Sequence, residues 1–136
     1  MLAGFFSTSQ TSFGQASFDS ANCYAQDQGT APAVSWHVKG VATIKNIPNG
    51  TTTIYVTFKF QKFVNNAWVQ IREITQSGGP NNGAATMDTG FLLIQDVSQS
   101  GQQFRVLVSG SYVVGGMPPT TTPLTGIGSN AITPVP

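Results

Sequence analysis

Two stretches of the chain alternate between apolar and polar residues, and this pattern restricts the fold more than any other feature. Within residues 34–45 the apolar side consists of Val34, Trp36, Val38, Gly40, Ala42 and Ile44. Within residues 51–63 the apolar side consists of Ile54, Val56, Phe58 and Phe60. A period of two residues with one apolar face is typical of a half-buried β-strand. The sequence therefore predicts two long strands here.

Turn signals separate these strands from each other and from the next one. Residues 46–50 (NIPNG) follow the first strand, and Pro48 fixes φ while Asn49 and Gly50 are suited to positive φ. We therefore expect a hairpin turn at this point. Asn65 and Asn66 predict a second hairpin turn, after which the chain returns through residues 68–75.

Two registers are possible for this second hairpin. A two-residue loop pairs Phe60 with Ile71 and places Lys59 opposite Arg72. A three-residue loop pairs Lys59 with Glu73 but places Arg72 on the inner face. An unpaired buried guanidinium costs far more than a like-charge pair in solvent. We therefore predict the two-residue register.

The remaining interior of the chain also favours strands. Residues 76–90 (QSGGPNNGAATMDTG) are glycine-rich and polar, which predicts a long loop. Residues 91–97 predict a short apolar strand, and residues 103–114 predict a further alternating one. No segment longer than one turn shows the apolar period of a helix. The predicted fold is all-β, an antiparallel β-sandwich of immunoglobulin-like or jelly-roll-like type over residues 33–114.

The composition excludes several classes of function. The length of 136 residues suits one domain, and charged residues make up only 8% of it, against roughly 25% in an average soluble protein. The six Lys and Arg residues are scattered and the net charge is +1, so no basic stripe is available for nucleic acid. No apolar run approaches the length of about 18 residues that a membrane-spanning helix requires. We therefore expect neither nucleic acid nor membrane as a partner.

The residues that carry chemistry are few and separated. Cys23 is the only cysteine and is expected to be a small buried thiol. His37 is the only histidine, and its predicted place is the outer face of a strand. The five carboxylates are spread along the chain, so no catalytic residue, cofactor site or metal site is predicted. Two minor alternatives stay open, a calcium site at Asn81, Asn82 and Asp88 and a carboxylate-based hydrolase that uses Glu73.

Both ends of the chain differ from the interior. Residues 1–32 begin with an uncharged stretch that contains four phenylalanines, and residues 115–136 are rich in proline, glycine and threonine. Neither end alternates between apolar and polar residues over a long stretch, and proline cannot donate a backbone hydrogen bond to a sheet ladder. Residues 1–6 also lack the basic start and apolar run of a secretory signal. Both ends are therefore predicted to be extended arms that contact neighbouring subunits through Phe5, Phe6, Phe13, Phe18, Met117, Leu124, Ile127 and Ile132.

Aromatic side chains suggest an alternative surface. Tyr55, Phe63 and Trp68 all fall on the predicted outward face of one hairpin. Such a platform, with nearby amide donors, is able to stack on a sugar. The same aromatic residues are equally suited to contact another protein surface.

The block FKFQKFVNNAWVQIREITQSG, followed by an apolar strand and QQFRVLVSGSYVV, resembles the strand–turn–strand pattern of small immunoglobulin-like β-sandwich proteins. Such proteins occur in phage virions, as capsid decoration or tail accessory proteins, and on bacterial cell surfaces. The resemblance and the predicted arms together suggest a non-enzymatic virion component that forms homo-oligomers or binds capsid or tail proteins. The alternative is an extracellular or cell-surface binding module, with carbohydrate as a possible ligand.

Overall fold

The alternating segments form the centre of two facing β-sheets. The structure is a computed structural model that describes residues 15–29, 35–94 and 103–133. The described residues form strands and no helix. The strands are β1 (Ser17–Asp27), β2 (Trp36–Lys45), β3 (Thr51–Val64), β4 (Ala67–Gly78), β5 (Ala85–Asp88), β6 (Leu92–Leu93), β7 (Phe104–Val114) and β8 (Thr120–Gly128).

The strands are divided between two antiparallel sheets. In the first sheet β2 pairs with β1 on one side and with β5 and β6 on the other. The second sheet has the order β4-β3-β7-β8. The sheets pack face to face, which confirms the predicted all-β fold and antiparallel β-sandwich.

The core lies between the two sheets and follows the alternation in the sequence. Every predicted inward residue of β2 and β3 that the structure describes is buried. The same holds for Phe104, Val106, Val108 and Tyr112 of β7. Gly40 lies in this core, and a Cβ atom there would come within 2.8 Å of Phe58 Cδ2 and 3.1 Å of Phe60 Cζ. The absence of a side chain at Gly40 therefore lets both rings pack closely against β2.

The register of the β3–β4 hairpin changes along its length. Beside the turn, Phe63 pairs with Trp68 as the two-residue loop predicts, and Asn65 and Asn66 have φ of 51° and 63°. A bulge at Ile71 then shifts the pairing, so that Lys59 lies opposite Glu73. The predicted pairing of Lys59 with Arg72 was therefore wrong. The bulge avoids that like-charge pair and leaves Arg72 exposed, where its Nη1 donates a hydrogen bond to the Leu93 carbonyl at 3.1 Å.

Two connections were predicted wrongly, because their structure differs from the predicted hairpin turn and long loop. Residues 46–50 do not close a hairpin, because β2 and β3 belong to different sheets and this segment crosses between them. Asn46 and Gly50 have the positive φ values, 57° and 89°. Residues 76–90 are not one long loop, since β4 continues to Gly78 and β5 pairs with β2. Ala85 and Met87 of β5 are buried, and this short alternation was hidden in a glycine-rich context.

Both predicted arms contribute strands to the sandwich of their own chain. β1 is an edge strand of the first sheet, and β8 is an edge strand of the second. The two sheets therefore extend beyond the predicted boundaries of 33 and 114. Pro123 was expected to prevent a ladder, yet it lies in β8 opposite Ser111. An edge strand tolerates proline, because one of its two sides needs no backbone donor.

Candidate docking end and outer faces

Three segments meet at one end of the sandwich, which we call the tip end. It comprises residues 15–16, which lead into β1, the 46–50 connection, and residues 115–119 between β7 and β8. Ser17 pairs with Lys45 just before the 46–50 connection. The Gly115 amide donates to the Gly50 carbonyl at 2.9 Å, which joins the β7–β8 turn to the same connection. The N-terminal segment thus enters the described fold at the same end as the β7–β8 turn.

Met117 is the most exposed apolar residue of the tip end. Its side chain is 100% exposed, and it lies between Gly116 and Pro118. An unbranched, polarisable side chain of this kind adapts readily to an irregular apolar surface. Met117 is therefore the predicted interface residue whose position best suits contact with another molecule.

The other predicted interface residues have different environments. Phe18 and Leu124 are 8% and 5% exposed and belong to the core of their own chain, so the expectation that they contact a neighbour was wrong. β1 and β8 alternate over short distances only, and this is why their inward residues resembled arm anchors. Ile127 and Ile132 are partly buried against the same core. Phe5, Phe6 and Phe13 lie outside the described residues.

The predicted aromatic platform separates into two parts. Phe63 and Trp68 lie together, with ring centroids 5.2 Å apart and planes inclined by 58°. Tyr55 lies on the same strand as Phe63, but eight residues away, a separation of about 26 Å at the usual rise per residue. Tyr55 is exposed and belongs to a different part of the outer face.

Arg105 of β7 covers the Phe63–Trp68 pair from one side. Its guanidinium carbon lies 4.3 Å from the centroid of the Trp68 ring, and its Nε donates to Gln61 Oε1 at 2.7 Å. A cation above an indole face is an attractive contact. A sugar that stacked on this face of Trp68 would have to displace Arg105. The guanidinium was not anticipated from sequence, although Arg105 falls on the outward side of its predicted strand.

The outer face of the first sheet carries a cluster around Lys39. The Lys39 Nζ lies 5.1 Å from the centroid of the Tyr24 ring and 5.0 Å from that of the Phe91 ring. It also lies 3.8 Å from Asp88 Oδ2. These contacts join β1, β2 and β5, so the cluster stabilises the sheet from outside. His37, on the same face, has its Nδ1 3.0 Å from the Ser35 carbonyl oxygen.

A shallow trough lies on the outer face of the second sheet, beside β8. Its volume is about 380 Å³, and the residues that line it include Lys59, Leu107, Ser109, Gly126 and Gly128. Gly126 and Gly128 have no side chains to cover the neighbouring strand, and this creates the depression. The alternate glycines of the segment TGIG were a signal that sequence reasoning did not use.

The polar groups considered for chemistry are dispersed. Glu73 is exposed and accepts a hydrogen bond from Gln70 Nε2 at 3.2 Å. Asp88, besides its contact with Lys39, accepts from the Gly90 amide at 2.8 Å. Within the described ranges, no three His, Cys, Asp or Glu side chains gather in a way that suits a metal ion. The same residues contain no helix able to cross a bilayer.

Cys23 occupies the place expected of a buried thiol. It is a free cysteine, 5% exposed, in the core on β1. Burial disfavours the thiolate and raises the pKa of Cys23 to about 12. A thiol in this environment is a poor nucleophile at neutral pH.

No protein-family model, no curated protein and no solved structure matched this chain.

Proposed function

We propose that this chain is a non-enzymatic structural subunit of a larger assembly and that it docks through its tip end. The observation that carries the proposal is that Met117 is fully exposed at the same end of the sandwich where the N-terminal segment enters the fold. The segment that contains Phe5, Phe6 and Phe13 therefore joins the fold at the same end as a fully exposed methionine. An apolar side chain on a turn, next to an uncharged aromatic segment, is suited to bind another protein surface.

At a finer level, we propose that the assembly is a virion, with the chain as a capsid decoration or tail component. The low charge of the sequence supports this, because such surfaces suit faces shared with neighbouring subunits. The buried free thiol of Cys23 fits a protein that folds in a reducing cytoplasm before it assembles. The partners are then further copies of this chain, or capsid or tail proteins.

The test measures assembly of the purified chain by light scattering after size exclusion and by negative-stain imaging. Met117→Ser should reduce the assembled fraction, because it removes the apolar contact of the tip end. Val69→Ser is the matched control, since Val69 is an exposed apolar residue in the β3–β4 hairpin at the opposite end. A wild-type chain that stays monomeric at all accessible concentrations, and in the presence of its neighbouring gene products, would contradict the proposal.

A second candidate function is binding of carbohydrate by a secreted or cell-surface module. The close Phe63–Trp68 pair, with Gln61 beside it, is the observation that favours it. Glycan-array binding that is lost in Trp68→Ala and retained in Tyr55→Ala would support this function. Retention of binding in both variants would exclude the Phe63–Trp68 pair as the site.

A further inference from the structure

We propose that the trough beside β8 is the acceptor for residues 1–14 of a second copy of this chain. In this arrangement the incoming segment adds as a strand to the free edge of β8, and a phenylalanine fills the trough over Gly126 and Gly128. The inference rests on the proposed function, because it specifies how one subunit docks on the next. It depends on the trough, the strand edge and the composition of residues 1–14.

The trough is apolar where an aromatic ring would sit. Leu107 pairs with Gly128, and a Cβ atom at Gly128 would lie 2.8 Å from Leu107 Cδ2. The leucine side chain therefore leans across the glycine and forms an apolar floor. Lys59 of β3 pairs with Leu107 and is the charged residue among those that line the trough. An aromatic side chain from an adjacent strand is a known way to cover glycines in a sheet.

The edge of β8 next to the trough carries none of the charge that usually protects an edge strand against strand addition. Natural edge strands are blocked by charges, prolines, bulges or covering segments. β4, the other edge of this sheet, carries exposed Arg72 and Glu73 and a bulge. β8 contains no charged residue, and its proline lies at position 123, before the trough. β8 has a bulge of its own at residues 125–126, so the absence of charge is what distinguishes its edge from that of β4.

Residues 1–14 match this acceptor in charge and in pattern. The segment has no charged residue and contains Phe5, Phe6 and Phe13. Phe5 and Phe13 would lie on the same face of an extended strand, because they are separated by an even number of positions. Burial of phenylalanine rings alone does not offset the cost of ordering such a segment, so backbone pairing is also required. Strand addition supplies that pairing.

The short length of chain between Phe13 and the described fold favours a trough on a second copy as the binding site of Phe13. Phe13 precedes Gln15, the first described residue, by two positions, which span at most about 7 Å of extended chain. Gly126 lies six positions along β8 from Thr120 and thus about 20 Å from the tip end. Phe13 therefore cannot reach the trough of its own copy. A neighbouring copy has no such restriction.

This contact joins two different surfaces of the same chain. The tip end of one copy binds the β8 edge of the next, so each copy retains one free donor and one free acceptor. Such heterologous contacts produce a closed ring or an open filament, depending on the rotation between copies. The proposed contact is thus able to build an assembly from a single type of subunit.

Complementary full-length variants test the proposal by light scattering after size exclusion. An acceptor variant, Gly128→Asp, places a charge in the trough, and a donor variant combines Phe5→Ser, Phe6→Ser and Phe13→Ser. Each alone should need at least about a tenfold higher concentration than wild type to assemble. An equimolar mixture should form a dimer and stop there, because it contains one intact donor and one intact acceptor. Ser111→Asp, on the same face near the tip end, is the matched control and should assemble like wild type.

Several results would overturn the inference. Unchanged assembly of Gly128→Asp, with normal circular dichroism and melting, would exclude the trough while the proposed docking function survived. A monomeric wild type whose melting temperature falls in the donor variant would show that the segment binds its own copy. Equal loss of assembly in Ser111→Asp would show that any charge on this face disrupts contact. A monomeric wild type with no effect of any variant would contradict this inference, and the proposed function would then require binding to capsid or tail proteins.

Discussion

Single residues determine how closely the two sheets approach and which groups can ionise. Gly40 illustrates the first point, because Phe58 and Phe60 occupy the space where its side chain would be. Cys23 illustrates the second, because the core around it favours the neutral thiol. Neither effect is visible in the sequence, where Gly40 falls on the apolar side of an alternating strand and Cys23 is expected only to be a small buried thiol.

Gly40→Ala should lower the free energy of unfolding by about 1–3 kcal/mol, the usual effect of overpacking a core. The added methyl group would meet Phe58 Cδ2 at 2.8 Å, and one of the two rings would have to move. Urea denaturation followed by fluorescence measures the change. Gly79→Ala is the matched control, because its new Cβ would meet no atom closer than 3.8 Å. Equal destabilisation by the two variants would contradict the proposed role of Gly40.

Cys23 should make stability depend on pH in the alkaline range. Its pKa rises on folding from 9.0 to about 12, so the folded state holds the proton more tightly than the unfolded state. The contribution to stability is fully present below pH 9.0 and is lost as pH rises toward about 12. Melting curves of wild type and Cys23→Ala over this range measure it. The wild type should lose more stability with rising pH than the variant, and parallel curves would contradict the expectation.

At the scale of elements, connections and irregularities decide how the strands are arranged. The bulge at Ile71 reconciles two registers that the sequence presented as alternatives. It keeps the turn at Asn65 and Asn66 tight while it moves Lys59 away from Arg72. In the first sheet, the connection between β1 and β2 is held by Asp27, whose Oδ1 accepts from the Gly29 amide at 2.9 Å and the Ser35 amide at 2.8 Å.

The hydrogen bonds to Asp27 predict that the stability of the fold decreases in acid. The backbone donors of Ser35 and then Gly29 favour the carboxylate and lower the pKa of Asp27 on folding. The carboxylate therefore stabilises the fold above the ordinary pKa of 3.8, and this contribution is lost as pH falls through the lower folded value. Thermal melts from neutral pH into acid should show a smaller decline for Asp27→Asn than for wild type. A decline of the same size in both would show that Asp27 does not hold this connection.

At the scale of the whole molecule, the sandwich is completed by strands from both ends of the chain. β1 packs against β7 and β8 of the opposite sheet. It places Phe18 and Cys23 in the core, and β8 adds Leu124. The segment 33–114 therefore contains the centre of both sheets but lacks an edge strand of each.

A chain truncated to residues 33–114 should not fold cooperatively. It would lose the buried side chains of β1 and β8 and expose the apolar faces that they cover, and a small domain has little stability in reserve. Circular dichroism and a urea transition of the purified fragment measure this. A longer fragment of residues 15–133 is the control and should unfold with nearly the stability of the full chain. Cooperative unfolding of the 33–114 fragment would restore the predicted domain boundaries.

The candidate surfaces, too, could be predicted only in part from the sequence. Met117 was predicted to be an interface residue because an apolar residue among glycine and proline has no core of its own to join. Phe63 and Trp68 were paired correctly, because a two-residue turn fixes the register of the residues beside it. Tyr55 was grouped with them only because it shares their face, and parity along a strand does not report distance. The trough was missed because it arises from what glycines leave uncovered on a neighbouring strand.

The amino-acid sequence was enough to predict the fold class and the inner faces of β2, β3 and β7, because a period of two residues places alternate side chains on opposite sides of a strand. It also determined the tight turn at Asn65 and Asn66, where local backbone preference is sufficient. The folded arrangement was needed to establish which strands share a sheet, that residues 46–50 cross between sheets, and that both ends supply edge strands. These choices depend on contacts between residues far apart in the chain, and no local pattern encodes them.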